Sequence, residues 1–279
     1  MDPLVSTDWL EAELGAPDLR VVDASYFLTE HGRDARAEFE AAHIPGAMFL
    51  DLATLADSAS PLPSTVPPAA FFAERMRAIA IGDDTRVVLY DDSPLRSAAR
   101  AWWLMRLFGK TPVAILDGGL AKWRAEALPL EAGASPMGEA RFAPHEHPEE
   151  LRTMADMRAN LDHPAEQVMD ARSAPRFRGD EPEHRAGVEP GHIPGSRNLP
   201  YARLFHDDGT WKRGPELQAE FRAAGIDVDR PMAATCGSGI TAAVLVFGAH
   251  LLGRKAALYD GSWTEWGGDP DTPKAKGDA

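Results

Sequence analysis

Cys236 is the only cysteine of the 279-residue chain, and the residues behind it are unusual for a packing side chain. The small apolar run Ala233-Ala234-Thr235 ends on the thiol. Gly237-Ser238-Gly239 then forms a tight turn, and Thr241-Ala242-Ala243-Val244-Leu245-Val246-Phe247 reads as a buried helix. A strand, a loop and a helix start therefore meet at one sulfur. Such a loop aims backbone N–H groups at a single point, and the helix start adds positive potential, so an anionic sulfur is favoured there. A lone cysteine is most often a small buried hydrophobe, but a filler residue requires no Gly-Ser-Gly turn after it. The stretch reads as a thiolate cradle: Cys236 is the candidate nucleophile, and Gly237, Gly239, Ile240 and Thr241 are candidate substrate-binding loop residues.

A second group carries charge. Arg172, Arg176, Arg178 and Arg185 crowd the segment between Asp170 and Gly191, in a chain whose net charge is −14 from 29 basic and 43 acidic residues. A solvated loop could carry such a run. Planar guanidinium groups also suit a carboxylate, to which each can donate two parallel hydrogen bonds. The acidic balance argues against nucleic acid as a partner, because phosphate binding wants a basic face. A small anionic substrate is compatible with cations gathered locally. One cysteine excludes an intramolecular disulfide, and there is no zinc-type spacing, so neither a metal nor a cofactor is expected. The N-terminus lacks a basic stretch followed by an apolar core. The longest mainly apolar run, from Ala242 to Leu252, falls short of the roughly 20 residues that span a bilayer. A cytoplasmic protein without a membrane partner is the expectation.

The elements that must position these residues are written twice. His43-Ile44-Pro45-Gly46 recurs as His192-Ile193-Pro194-Gly195. Val21-Val22-Asp23-Ala24 matches Val168-Met169-Asp170-Ala171, and Leu116-Asp117-Gly118-Gly119 with Trp123 matches Tyr259-Asp260-Gly261-Ser262 with Trp266. Three matches in one order, with a slowly drifting offset, mean a duplicated domain. In the first copy the patterns predict a helix from Ser6 or Thr7 to Leu14, a strand at Arg20–Asp23 and a polar helix from Asp34 to His43. A short strand at Met48–Leu50, a Pro-rich loop over 57–68 and a helix over 69–80 with Phe72, Met76 and Ile79 on one face follow. A strand at Arg86–Tyr90, a helix over 97–108 ended by Gly109 and a strand at Val113–Leu116 complete it. Short apolar strands alternating with helices indicate α/β units with mostly parallel sheets. The boundaries are expected at 1–127 and 151–279. The stretch 128–150 reads as a surface linker, Thr153-x-x-Asp156 as a capping box, and the tail after Asp269 as frayed. Aligning the copies sets Asp91 opposite Cys236. A carboxylate is no sulfur nucleophile, so the first domain should be catalytically inactive and form one wall of an interdomain cleft. His43 and His192, present in both halves, are expected to be structural.

On these residues the chain resembles the two-domain rhodanese-type sulfurtransferases over nearly its whole length. The likeness rests on both His-Ile-Pro-Gly motifs, on Ala101-Trp102-Trp103 before Phe108-Gly109, on Asp117-Gly118-Gly119, on the Cys236 loop, and on Tyr259-Asp260-Gly261-Ser262-Trp263 with Glu265-Trp266. It implies two tandem rhodanese-like α/β domains, each a mostly parallel sheet flanked by helices, with only the second active. Thiosulfate sulfurtransferases typically place Arg-Lys directly after the cysteine. The loop here, Gly237-Ser238-Gly239-Ile240-Thr241, is similar to the 3-mercaptopyruvate branch. In that branch two arginines grip the substrate carboxylate and keto oxygen; the matching pattern assigns those roles to Arg176 and Arg185 and leaves Arg172 and Arg178 as structural ion-pair partners. The implied reaction is a double displacement. The Cys236 thiolate takes sulfur from 3-mercaptopyruvate, pyruvate leaves, and thioredoxin, a small thiol or cyanide removes the sulfur from a Cys236 persulfide.

The resemblance also implies a Ser-His-Asp set, and here the chain departs from it. Ser238 matches the serine and is a candidate catalytic residue. Ser64 stands in the loop where the histidine is expected, and Ala53 where the aspartate is. Thiosulfate:cyanide sulfurtransferase is therefore the runner-up activity, with a non-enzymatic persulfide carrier behind it. A cysteine phosphatase needs an arginine six positions after the cysteine, which is Ala242.

Overall fold

The inner strands are short and buried along nearly their whole length, as parallel sheets covered by helices on each side require. The computed structural model describes residues 1–134 and 138–278. The chain divides into two compact units, the first formed by Met1–Ser58, Val66–His147 and Asp207–Trp211, the second by Ala59–Thr65, Pro148–His206 and Lys212–Ala279.

The first unit comprises β1 (Leu4–Val5), α1 (Thr7–Glu13), β2 (Leu19–Asp23), α2 (Ala35–Ala41), β3 (Met48–Phe49), α3 (Ala69–Ala78), β4 (Arg86–Tyr90), α4 (Ala98–Leu107), β5 (Val113–Leu116) and α5 (Gly119–Ala125). Its sheet is parallel in the order β1-β5-β4-β2-β3. The second unit comprises β6 (Leu151–Arg152), α6 (Met154–Asp162), β7 (Gln167–Asp170), α7 (Ala174–Arg178), β8 (Arg197–Asn198), α8 (Gly214–Ala223), β9 (Met232–Thr235), α9 (Ala242–Leu251), β10 (Ala257–Tyr259) and α10 (Ser262–Trp266). Its sheet is parallel in the order β6-β10-β9-β7-β8. The two orders are one permutation, which is the duplication read from the motifs.

Local chemistry starts the helices where the sequence placed them. The Ser6 hydroxyl accepts from Trp9 N–H, Asp34 accepts from Ala37 N–H, and Thr153 and Asp156 form a reciprocal capping box. Helix α3 stops at Ala78, short of the expected Ala80, so Ile79 lies beyond it half-buried and Ala73 joins Phe72 and Met76 on the buried face. The edge strands β1 and β6 were not anticipated: two residues show no period, and they form because β5 and β10 offer a free edge.

Two expectations fail together. The linker and the tail are the same strap, once in each unit. Glu131 exchanges backbone hydrogen bonds with His43, both at 2.9 Å, and Ala275 does the same with His192 at the same distances. The Trp123 indole donates to Pro129 O at 2.7 Å and that of Trp266 to Pro273 O at 2.8 Å. Residues 128–147 accordingly belong to the first unit, with Phe142 buried, although Ser135, Pro136 and Met137 lie outside the described residues. The tail is not frayed: Thr272 is buried and Lys274 caps the carbonyls of Asp269 and Thr272. A Cβ on Gly191 would meet Ala275 O at 2.4 Å, so the strap requires glycine there, at φ +137°.

Both motif histidines hold these straps down. His43 stacks on Phe39 and its Nδ1 bonds Phe39 O; His192 stacks on Phe177 and its Nδ1 bonds Phe177 O. Burial holds the His192 ring below the ordinary histidine range, so it is neutral near pH 7. Among the described residues no helix is long and apolar enough to cross a membrane.

Candidate active site

In each sheet the chain moves one way from the second strand to the third and the other way to the fourth. In the second unit that reversal falls between β7 and β9, paired with Asp170 opposite Thr235. The crevice at the C-terminal ends of such a strand pair is where open α/β sheets bind ligands. Arg172 leaves one strand and Cys236 the other, two residues and one residue past their ends.

Cys236 is 2% exposed. Its Sγ lies 3.2 Å from Gly239 N, and Gly239 sits at φ +81°, a conformation that turns its N–H back on the sulfur and that glycine alone adopts freely. Helix α10 fixes the loop from outside. Trp263 N–H donates to Cys236 O at 2.9 Å, and Thr264 gives Gly237 O both its N–H and its hydroxyl. Ser262 accepts the Cys236 N–H on Oγ at 3.2 Å while holding φ +52°. Its counterpart in the first unit is Gly119 at φ +57°. A serine tolerates this backbone strain where its hydroxyl anchors the nucleophile.

The arginines separate into distinct roles. Arg172, buried, donates through Nε and Nη2 to Asp170, through Nη1 to Glu183 at 2.9 Å and through Nη2 to Gly191 O at 2.8 Å, and it lies over the Trp263 ring. Burial opposes its charge, but Asp170, Glu183 and Cys236 outweigh that and hold its pKa above the ordinary value. Arg172 is thus the ion-pair partner expected of it, held by two carboxylates. Arg176 pairs with the other oxygen of Glu183. Its guanidinium lies beside Gly237, where a Cβ would stand 3.4 Å from Nη2 and 3.7 Å from Nη1. Arg178 pairs with Asp180 at 2.7 Å. Arg185 is exposed in the loop that follows, and no described contact brings it to the cysteine loop. Ser238 and Thr241 are half-buried, and Ile240 is buried, so its side chain packs and only its backbone is available to a ligand. The loop 59–65, with Ser64 at φ +59°, belongs to the same compact unit as Cys236. Trp263 is a buried wall whose indole donates to Glu189 O. Sequence reasoning missed Glu183, Ser262 and Thr264. Only Ser262 left a signal, as the serine standing at Gly119 of the repeat.

The first unit shows what the cradle does without sulfur. Asp91 follows β4, and its carboxylate accepts Ser93 N–H at 3.0 Å and Ala98 N–H at 2.7 Å. Ser25 takes the place of Arg172, with its N–H on Asp23 as that of Arg172 is on Asp170. In both copies the loop turns backbone N–H groups onto the side chain that follows the strand. Burial pushes the Asp91 carboxyl up to about 6, against the pull of Ala98 N–H. The native state thus binds the proton more tightly than the unfolded chain. Its contribution to stability is full below about pH 4 and is lost as pH rises through 6, by about 3 kcal/mol at most. Asp91→Asn should remove this slope, so the difference in urea midpoint between variant and parent should shift in the variant's favour from pH 4 to pH 7. A difference independent of pH would contradict the assignment.

Comparison with known proteins agrees with this geometry. The model of the rhodanese-like domain matches residues 6–126 and again 153–269. The 3-mercaptopyruvate sulfurtransferase of Rattus norvegicus is 43% identical over 94% of this chain and 91% of its own. The thiosulfate sulfurtransferase of Gallus gallus is 39% identical over 94% and 92%. The crystal structure of SseA from Escherichia coli, a 3-mercaptopyruvate sulfotransferase, superposes with a TM-score of 0.86 at 37% identity, covering 94% of this chain and 99% of that one. With both matches falling on sheets of one strand order, the chain belongs to the rhodanese-like domain family as a tandem of two such domains.

Proposed function

We propose that the protein is a sulfurtransferase that takes sulfur from 3-mercaptopyruvate through a persulfide on Cys236. One observation carries this reading: the sulfur is cradled by a loop with no cation of its own, while the Arg176 guanidinium is held beside Gly237. Thiosulfate, a compact dianion, benefits from cations at the thiol itself. Mercaptopyruvate carries its charge on a carboxylate several bonds from the sulfur, so its cation belongs farther out.

The Cys236 thiolate attacks the substrate sulfur and the C–S bond breaks toward carbon. Pyruvate enolate departs and takes up the proton carried by the transferred sulfur, which leaves an anionic Cys236 persulfide. Gly239 N–H and the start of α9 stabilise sulfur anions before and after transfer. Arg176, with Arg185 from the exposed loop as the second clamp, meets the carboxylate and the enolate oxygen. Ser238, two residues after the nucleophile in the same loop, is assigned as the proton-handling hydroxyl. An acceptor thiol (thioredoxin or a small thiol) or cyanide then attacks the outer sulfur and restores the Cys236 thiolate. The first domain, with Asp91 and Ser25 at the corresponding places, takes no part in the chemistry. A single cysteine that works reduced fits a cytoplasmic location.

A competition between donors tests the reading. The kcat/KM for 3-mercaptopyruvate should exceed that for thiosulfate at least tenfold, about 1.4 kcal/mol of transition-state preference. A preference for thiosulfate would instead make the protein a thiosulfate:cyanide sulfurtransferase, for which Ser64 and Ala53 in place of histidine and aspartate are the supporting observation.

A further inference from the structure

Among the described residues, Glu183 is the carboxylate that pairs with both Arg172 and Arg176. Its Oε1 accepts from Arg172 Nη1 at 2.9 Å and its Oε2 takes Arg176 Nη2. The side chain is 5% exposed, so these two guanidinium groups replace its water. Arg172 is itself locked: Asp170 holds it on two nitrogens, Gly191 O on a third bond, and its plane rests on Trp263. Arg176 has no comparable cage. Its side chain is 24% exposed, and among the described residues it pairs with Glu183. The rigid end of the network is therefore Arg172, the adjustable end is Arg176, and Glu183 joins them.

We propose that Glu183 is a positioning residue: it ties Arg176 to the buried Asp170–Arg172 pair, and so fixes the substrate-carboxylate cation at Gly237. This rests on the donor reading above. Two physical consequences follow. A long arginine side chain free in solvent loses conformational entropy each time it binds a carboxylate, and Glu183 removes that cost in advance. Glu183 also completes the local charge balance, with Asp170 and Glu183 against Arg172 and Arg176. The cation at Gly237 is thereby present as geometry, with little excess positive field at the sulfur. A loop cation adjoining the thiol would instead act on the sulfur directly, which is the arrangement a thiosulfate site needs. The residue also explains why the arginine cluster sits in an acidic segment, Asp180-Glu181-Pro182-Glu183. The carboxylate that matters is the buried one.

The test is a double-mutant cycle with Arg176, read with two probes. Glu183→Gln keeps the shape but offers one acceptor oxygen for two arginines, while Glu183→Asp keeps the charge and shortens the reach. Loss of one charge-assisted hydrogen bond predicts that Glu183→Gln raises KM for 3-mercaptopyruvate about 10- to 100-fold with kcat changed less than about threefold. Glu183→Asp should fall between Glu183→Gln and the parent. Arg176→Gln alone should raise KM at least as much, and the pair Glu183→Gln/Arg176→Gln should be no worse than Arg176→Gln. The second probe needs no turnover: pyruvate should protect Cys236 from iodoacetamide in the parent, and Glu183→Gln should require about tenfold more pyruvate for equal protection. Additive effects of the two substitutions, or an unchanged KM and unchanged protection in Glu183→Gln, would overturn the positioning role. If Glu183→Gln does not fold, Glu183→Asp decides, since a merely structural carboxylate predicts a lowered melting temperature with parental KM. A parent that does not turn over 3-mercaptopyruvate would defeat the donor reading instead, and the pyruvate protection would still report on the Glu183–Arg176 tie.

Discussion

Cys236→Ser should lower turnover by at least about four orders of magnitude with either donor, because a serine hydroxyl is a far weaker nucleophile toward sulfur than a cysteine side chain. The expected result rests on isolation as much as on nucleophilicity. There is one cysteine in the chain, and the matching place in the first unit holds Asp91, whose carboxylate is engaged by Ser93 and Ala98. No second sulfur can carry the intermediate. Brief exposure of the parent protein to 3-mercaptopyruvate should add the mass of one sulfur, removed again by a thiol, and the variant should gain nothing. The substitution should cost little stability, since a serine Oγ can accept the Gly239 N–H that the sulfur accepts now. Intact melting behaviour would show that the loss is chemical. Retained turnover, or a mass gain in the variant, would refute a Cys236 persulfide.

How far the sequence carried the argument depends on what each feature looks like in one dimension. Strand β4 and strand β5 were legible to the residue, because four or five consecutive apolar residues between turn signals have few other readings. The duplication was legible because packing constraints leave the same residues at the same places: His43 and His192 on Phe39 and Phe177, Trp123 and Trp266 on the straps. The straps themselves were not. Residues 128–147 and the tail have no period and many prolines and charges, and Glu131 and Ala275 within them are held by backbone pairing to His43 and His192. Sequence reads such stretches as linkers because it sees side chains and not backbone partners.

The same limit applies at the site. Cys236 and its glycines are adjacent in sequence, so local geometry reveals them. Arg172 was separable from Arg176 only through the family pattern, which assigns the substrate to Arg176 and Arg185. What distinguishes them is that Arg172 follows β7 directly, with Asp170 in reach, whereas Arg176 sits a turn into α7 and reaches across to Gly237. Glu183 was invisible among its acidic neighbours, since burial, not charge, sets it apart. Ser262 shows the reverse case, in which a repeat makes a strained residue readable: where one copy has glycine at positive φ and the other serine, the serine has acquired a task.

The second large effect is expected at Arg176. Arg176→Gln removes a cation that can donate two parallel hydrogen bonds to a carboxylate, each worth about 1.5–3 kcal/mol when charge-assisted, so kcat/KM for 3-mercaptopyruvate should fall about 100-fold or more. Thiosulfate has no carboxylate at that distance, and its use should fall much less. The ratio of the two losses is the informative quantity, because a general disturbance of the loop would depress both donors alike. Stability should scarcely change: Arg172 keeps Glu183, and Glu183 loses its more exposed partner. Arg185→Ala should discriminate between donors in the same direction but by less, since its side chain starts in an exposed loop and must be ordered when substrate binds. Steady-state kinetics with both donors on the two variants would settle the ranking. An Arg176→Gln protein that loses thiosulfate and mercaptopyruvate activity equally would mean that this arginine supports the loop and does not recognise the carboxylate.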